Sequence, residues 1–435
     1  MILLPLYDII SNRDVLSLQY DFIKGCYLMK EGKKAAIVGV TSILVYVANY
    51  YLRHILSVLT PMLIENGFLI DHIAALSSVY MLFYAAGQIV NGFLGDIFSP
   101  KKMASIGLFV SGCAMIAFPF IPEQSLQVVC FALLGFGLSM LRGPLMKIIS
   151  ENTAPNHARL ICVFFSFASF AGPLIASLFA MINGWKNVFF AAGAVAMLFS
   201  LFAYVMFTAM EKKGLISYIK NEVKGISSIF AVFKIENIFF YIVVACLVEI
   251  CAASISQWIT TFLTGALGFS AENANFIYTG ISTARSFMPF VALAIFRAIK
   301  EKDIPMMRVT FLISAVMFAL LIVSPNKWVS IALLALALMS MSCTSALLWS
   351  IYIPGLGKTG RVSSVNGVID CIGYIAAACA NLVFAKVMSN IGWSTVYILW
   401  ASIGVIGLVA TFTLRRNKKI GQSSSEKPIE TKNRV

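Results

Sequence analysis

The chain has 435 residues, of which 60% are hydrophobic and 12% charged, and its mean hydropathy is +0.88. Those proportions exclude a water-soluble enzyme with a separate polar domain and point to an all-α, polytopic membrane protein. The net charge of +14 does not indicate nucleic-acid binding, because of where the basic residues fall along the chain. Residues 1–34 mix polar and apolar side chains and lack the short apolar core and small-residue cleavage site of a signal peptide, so a cytoplasmic N-terminal extension is expected. Apolar runs then occupy 36–63, 72–94, 103–121, 127–149, 160–182 and 186–209. After a lysine-rich linker they resume at 238–264, 274–297, 306–323, 328–353, 362–388 and 394–413. Each is close to the roughly 20 residues needed to cross a bilayer.

Twelve transmembrane helices in two six-helix halves are therefore expected. The N-terminal half covers 35–209, the cytoplasmic linker 210–237, the C-terminal half 238–414 and a disordered polar tail 415–435. The halves echo each other faintly: SLFAMINGW at 177–185 and VFAKVMSNIGW at 383–393 both precede the last apolar run of their half. A six-plus-six repeat puts a solute site near the bilayer midplane between the halves. With both termini inside, 26 of the 33 Lys and Arg lie on the inner side, 3 at the outer edge and 4 within spans. This positive-inside distribution sets the orientation in a cell membrane.

Charges inside the spans are expensive, by roughly 2.5–3.5 kcal/mol on insertion scales, and so face a partner or a wet path. Arg53 lies on a polar stripe of Ser42, Tyr46, Asn49, Arg53, Ser57 and Thr60 at helical spacing. Span seven carries Glu249 in a row with Ser256, Gln257 and Thr260. Span eight carries Arg285 with Asn275, Tyr278 and Ser282. Span eleven carries Asp370 with Asn366, Tyr374 and Asn381. Arg53, Arg285, Asn49, Tyr50 and Trp258 are expected to face a solute, with Tyr374 as a further contact. Glu249 and Asp370 are expected to pair with Arg285 or to relay protons. Arg142 and Lys147 are further candidate site residues; against that, Arg142 snorkels or braces span four and Lys147 has a structural role near the cytoplasmic end, where snorkelling is cheap, while His54, turned about 100° from Arg53, packs.

Residues 92–103, GFLGDIFSPKKM, resemble the signature loop of the major facilitator superfamily through Gly92, Asp96, Lys101 and Lys102. The resemblance implies a gate in which Asp96 meets a helix N-terminus and an opposing cation in one conformation only. More narrowly, NYYLRHILSVLTPMLIENGF at 49–68, GPLMKII at 143–149, QWITTFL at 257–263 and GVIDCIGYIAAACANLVFAKVMSNIGW at 367–393 look like the organophosphate:anion antiporter branch. That likeness makes Arg53 the first anion-binding arginine, whose planar fork suits phosphate or carboxylate. It also marks departures: Ala252 stands where the branch has a second arginine, Gln88 where it has a lysine and Ser169 where it has a histidine.

The expected function is alternating-access transport of a small organic anion, coupled to a proton or a counter-anion, by a monomer. No enzymatic activity, cofactor or metal is expected, since no phosphate-binding loop, paired metal-ligand motif or nucleophile elbow occurs. The nine cysteines have no CxxC spacing and read as reduced thiols. The same residues leave open a transporter of a zwitterionic or cationic compound and a non-transporting solute sensor.

Overall fold

The computed structural model describes residues 5–182, 184–219, 231–324 and 326–412, which form helices joined by short turns and no strand. Among the described residues, twelve helices are long and apolar enough to cross a membrane. In the first half these are spans one to six, Glu31–Glu65, Ile70–Ile97, Pro100–Phe120, Gln124–Asn152, Pro155–Phe179 and Trp185–Lys212. In the second half, spans seven to twelve are Ile238–Ala266, Glu272–Ala298, Asp303–Val323, Lys327–Gly355, Val362–Ala380 and Trp393–Ala410. An even number returns the chain to the face it started from, here termed the terminus side, the other being the distal side.

The helix that contains span one runs unbroken from Pro5 to Glu65, 61 residues or about 90 Å at 1.5 Å per residue. The expected boundary at 34/35 is therefore not a break in the backbone. Residues 213–219 of the linker are held to the end of span four, where the Ser217 and Ile219 amides donate to Asn152 Oδ1 (2.7 Å) and Glu151 Oε2 (3.0 Å). Residues 220–230 of the linker and the tail, 415–435, lie outside the described residues.

Composition dictates the packing. Large apolar side chains such as Leu198, Leu201 and Val409 stay exposed on the perimeter, where lipid would cover them, while Asn91, Asp96, Lys147, Asn366 and Asp370 are buried between helices. Local signals end the helices. Asn326 accepts the Trp328 and Val329 amides at the start of span ten, and Ser270 accepts the Asn273 amide before span eight.

On the terminus side the halves meet along spans two and eleven with no room between backbones. A Cβ on Gly92 would lie 2.9 Å from Gly367 Cα and 3.0 Å from the Ser363 carbonyl oxygen. This approach places Asp96 at the N-terminus of span eleven. Its carboxylate accepts the Ser363 amide (3.1 Å), the Ser364 amide (2.9 Å) and the Ser364 hydroxyl. Lys147, 1% exposed, lies 3.4 Å from Asp96 Oδ1 and 3.7 Å from Glu151, and donates to the carbonyls of Asp96 (3.1 Å) and Gly360 (3.3 Å). Lys147 does not snorkel, because spans two, four and eleven converge on its ammonium. The cation expected beside Asp96, Lys101, instead pairs with Glu211 at the end of span six, and Lys102 is exposed. Between spans five and eight, Arg159 joins Glu301 across the seam at 2.8 Å.

Candidate functional site

A cavity of about 510 Å³ lies between the halves above this seam. Three arginines reach its wall, Arg53 from span one, Arg142 from span four and Arg285 from span eight, together with Glu249 from span seven.

Arg53 donates to the Tyr374 hydroxyl of span eleven at 3.1 Å, and its guanidinium carbon lies 5.1–5.8 Å from the ring centres of Tyr84, Tyr374 and Tyr50. Among the described residues no carboxylate comes within 4.0 Å of it. The rings shield the charge by cation–π attraction while most of its five N–H groups stay available to an oxyanion.

Arg142 is held differently. Span four is broken at Met140–Leu141, between helices Gln124–Ser139 and Arg142–Asn152, so Arg142 opens the second segment. Its Nη1 meets Asp370 Oδ1 at 2.8 Å across the two halves, and Trp349 lies 4.0 Å from its guanidinium carbon. Asn366 donates to the other Asp370 oxygen at 2.8 Å. Trp349 sits on a π-helical turn, Leu347–Tyr352, within span ten; irregular backbone at membrane depth is tolerated where it lines a cavity.

Arg285 does not pair with Glu249 or Asp370, as span-by-span reading expects. It donates to Ser342 (3.2 Å) and Ser256 (3.4 Å), since Asp370 faces Arg142 from the other side. Glu249 lies within electrostatic reach of Asp370, Arg142, Arg53 and Arg285 and packs over Gly373. The cavity wall thus carries three cations and one carboxylate, and one of the cations, Arg142, is already paired with Asp370 behind the wall.

Two expected contacts fall outside the wall. Asn49 is 1% exposed and spends its amide on the Leu138 carbonyl (3.0 Å), bracing span one on span four. Trp258 lies off the cavity wall, and its indole N–H is buried without a partner among the described residues. Tyr50 does line the cavity, as do three residues outside the expected site: Tyr46, His54 and Trp349. Tyr46 shares the stripe of Arg53 and stacks on Phe165 with 4.4 Å between centres. His54 reaches the wall through its ring, parallel to Tyr50. Trp349 carries no periodic signal, because its orientation depends on the π-turn. Ser169 and Ala252, where the branch resemblance expects larger polar groups, also face the cavity.

A second cavity of about 480 Å³ lies on the distal side of the first, between spans one, two and four. Arg53 and His54 belong to both.

The profile of the Major Facilitator Superfamily matches residues 42–378. The chain belongs to that superfamily of membrane transporters. An uncharacterised MFS-type transporter of Mycobacterium tuberculosis is 24% identical over 228 residues, 51% of this chain but only 36% of the relative. The chain therefore matches about a third of that relative's length. Among solved structures, the outward conformation of the transporter FucP superposes with a TM-score of 0.69 at 13% identity, covering 88% of this chain and 100% of the other. The proton:xylose symporter XylE, bound to 6-bromo-6-deoxy-D-glucose, gives 0.68 at 11% identity, with 88% and 96% covered. At such identities the likeness is one of fold.

Proposed function

We propose that this transporter is secondary active and carries a small organic anion, such as an organophosphate, sugar acid or similar carboxylate, across the cell membrane by alternating access. It works as a monomer with both termini cytoplasmic, the orientation favoured by its basic residues. The observation that carries the reading is Arg53, a guanidinium on the cavity wall with aromatic neighbours and no carboxylate within 4.0 Å among the described residues. The volume suits a small solute, within the range of roughly 300–1,000 Å³ typical of ligand pockets.

In this reading the cytoplasmic seam is closed and the anion arrives from the distal, outer side. It binds Arg53 and competes with Asp370 for Arg142. A freed Asp370 takes a proton, or waits for a counter-anion to replace the cargo; either couples the flux to a gradient. Asp96, released from span eleven together with Lys147, then lets the seam part.

A thermal-shift screen of organic phosphates, sugar acids and amino compounds on wild type and Arg53→Ala tests the reading. Anionic hits that vanish in the variant support it. Hits confined to cations, or hits indifferent to Arg53, overturn it. A second reading has one observation in its favour: Glu249 shares the cavity with Arg53 and has no ion-pair partner within 4.0 Å among the described residues. A zwitterion would use both, and loss of its binding in Glu249→Gln as well as in Arg53→Ala identifies it.

A further inference from the structure

The two cavities that meet at Arg53 differ in chemistry. The central one presents Arg142, Glu249, Ser256, Arg285 and Ser342. The distal one presents Leu56, Ile70, Ile73, Met81, Phe131 and Leu134. Its two span-one hydroxyls are spent within their own helix, Ser57 on the His54 carbonyl and Thr60 on the Leu56 carbonyl, both at 2.9 Å. With Ser77 of span two as one further hydroxyl, a polar solute passing through would find few partners along this wall. Where the cavities join, Tyr80 adds a second polar group beside Arg53. Tyr80 is 6% exposed, lines the distal cavity, and its hydroxyl has no partner among the described residues.

We infer that the distal cavity is a binding subsite for the apolar part of an amphipathic organic anion, whose charged group sits at the junction on Arg53 and the Tyr80 hydroxyl. This rests on the anion reading above and narrows it: the cargo carries an alkyl or aromatic moiety on a single anionic head. Arg53 and His54 line both cavities, so a head group on Arg53 lies next to the apolar wall. The apolar wall supplies affinity in proportion to the area it takes from water, while the arginine sets orientation.

The test uses the full-length protein in lipid nanodiscs and a series of monoalkyl phosphates from ethyl to octyl, with binding measured by calorimetry. The expected result is an affinity that rises about threefold to fourfold per added methylene until the cavity is full, as burial of a CH₂ predicts. Ala74→Trp, placed on the exposed wall of the distal cavity, removes that rise while ethyl phosphate still binds. Arg53→Ala weakens every member of the series. Affinity that is flat with chain length but still dependent on Arg53 overturns the subsite and leaves the anion reading standing. A rise that persists unchanged in Ala74→Trp also overturns the subsite. A rise seen equally with alkyl ammonium ions and independent of Arg53, or no binding by any alkyl phosphate or by the matching alkyl carboxylates, removes the anion reading and the inference with it.

Discussion

At the terminus-side seam the halves meet backbone to backbone, whereas at Arg53 they meet through side chains, a guanidinium donating to a tyrosine hydroxyl. The seam's charges are satisfied: the Asp96 carboxylate takes three donors and Lys147, and Lys147 takes two carbonyls besides. The cavity's charges are left partly open. The comparison teaches a division of labour: satisfied polar groups and close glycines make one well-defined closed state, and spare donors leave affinity for a solute.

Substitutions at four positions would sharpen or break that contrast, the largest effect first. Arg53→Ala removes a fork able to make two charge-assisted hydrogen bonds, each worth about 1.5–3 kcal/mol, so solute binding should weaken about 100-fold or more. Arg53→Lys should recover only part of it, because the ammonium lacks the planar fork; calorimetry on the same solute checks both.

Asp96→Ala leaves the buried Lys147 ammonium with Glu151, 3.7 Å away, as its remaining carboxylate, a change that costs up to about 3–5 kcal/mol, the figure for losing one partner of a buried pair. The closed seam should lose most of that stabilisation. Cys162, buried on span five and facing the cavity, should then be alkylated faster by an impermeant maleimide applied from the terminus side, as read by peptide mass spectrometry. Unchanged labelling would mean that Asp96 is not what holds the seam.

Gly92→Leu forces a side chain into a gap bounded by Gly367 and Ser363, and overpacking of this kind costs about 1–3 kcal/mol. Since the obstacle is backbone, the upper end is expected, and the population should move toward the terminus-open state by roughly 100-fold. Solute binding from the distal side falls accordingly while thermal stability changes little. Lys101→Ala should do least. Glu211 is 41% exposed, and surface pairs are worth about 0–1 kcal/mol, so transport should stay within about threefold of wild type.

The spans were legible because the bilayer imposes one length and one polarity on every crossing segment. Arg53 was legible for the same reason, as a charge that hydrocarbon would not tolerate. Which partner each buried charge takes was not. Arg53 and Tyr374 are 321 residues apart, and Arg142 and Asp370 are 228; helical stripes give the face of each residue but not the helix opposite. Asn49 shares a stripe with Arg53 yet turns to Leu138, because a helix of this width touches its neighbour and the cavity with one polar face. Lys147 looked shallow by depth along its span, but depth says nothing of the convergence of three helices around it. Trp349 depended on a π-turn, which shifts the register that periodicity assumes.

The most direct test of the central claim, that Arg53 anchors a cargo which crosses the membrane, is solute counterflow in proteoliposomes. Vesicles preloaded with an unlabelled anionic hit from the binding screen are diluted into the labelled compound. The account predicts a transient, saturable overshoot with wild type and none with Arg53→Ala. Wild-type protein that binds the compound yet gives no overshoot, or an overshoot that survives Arg53→Ala undiminished, would contradict it.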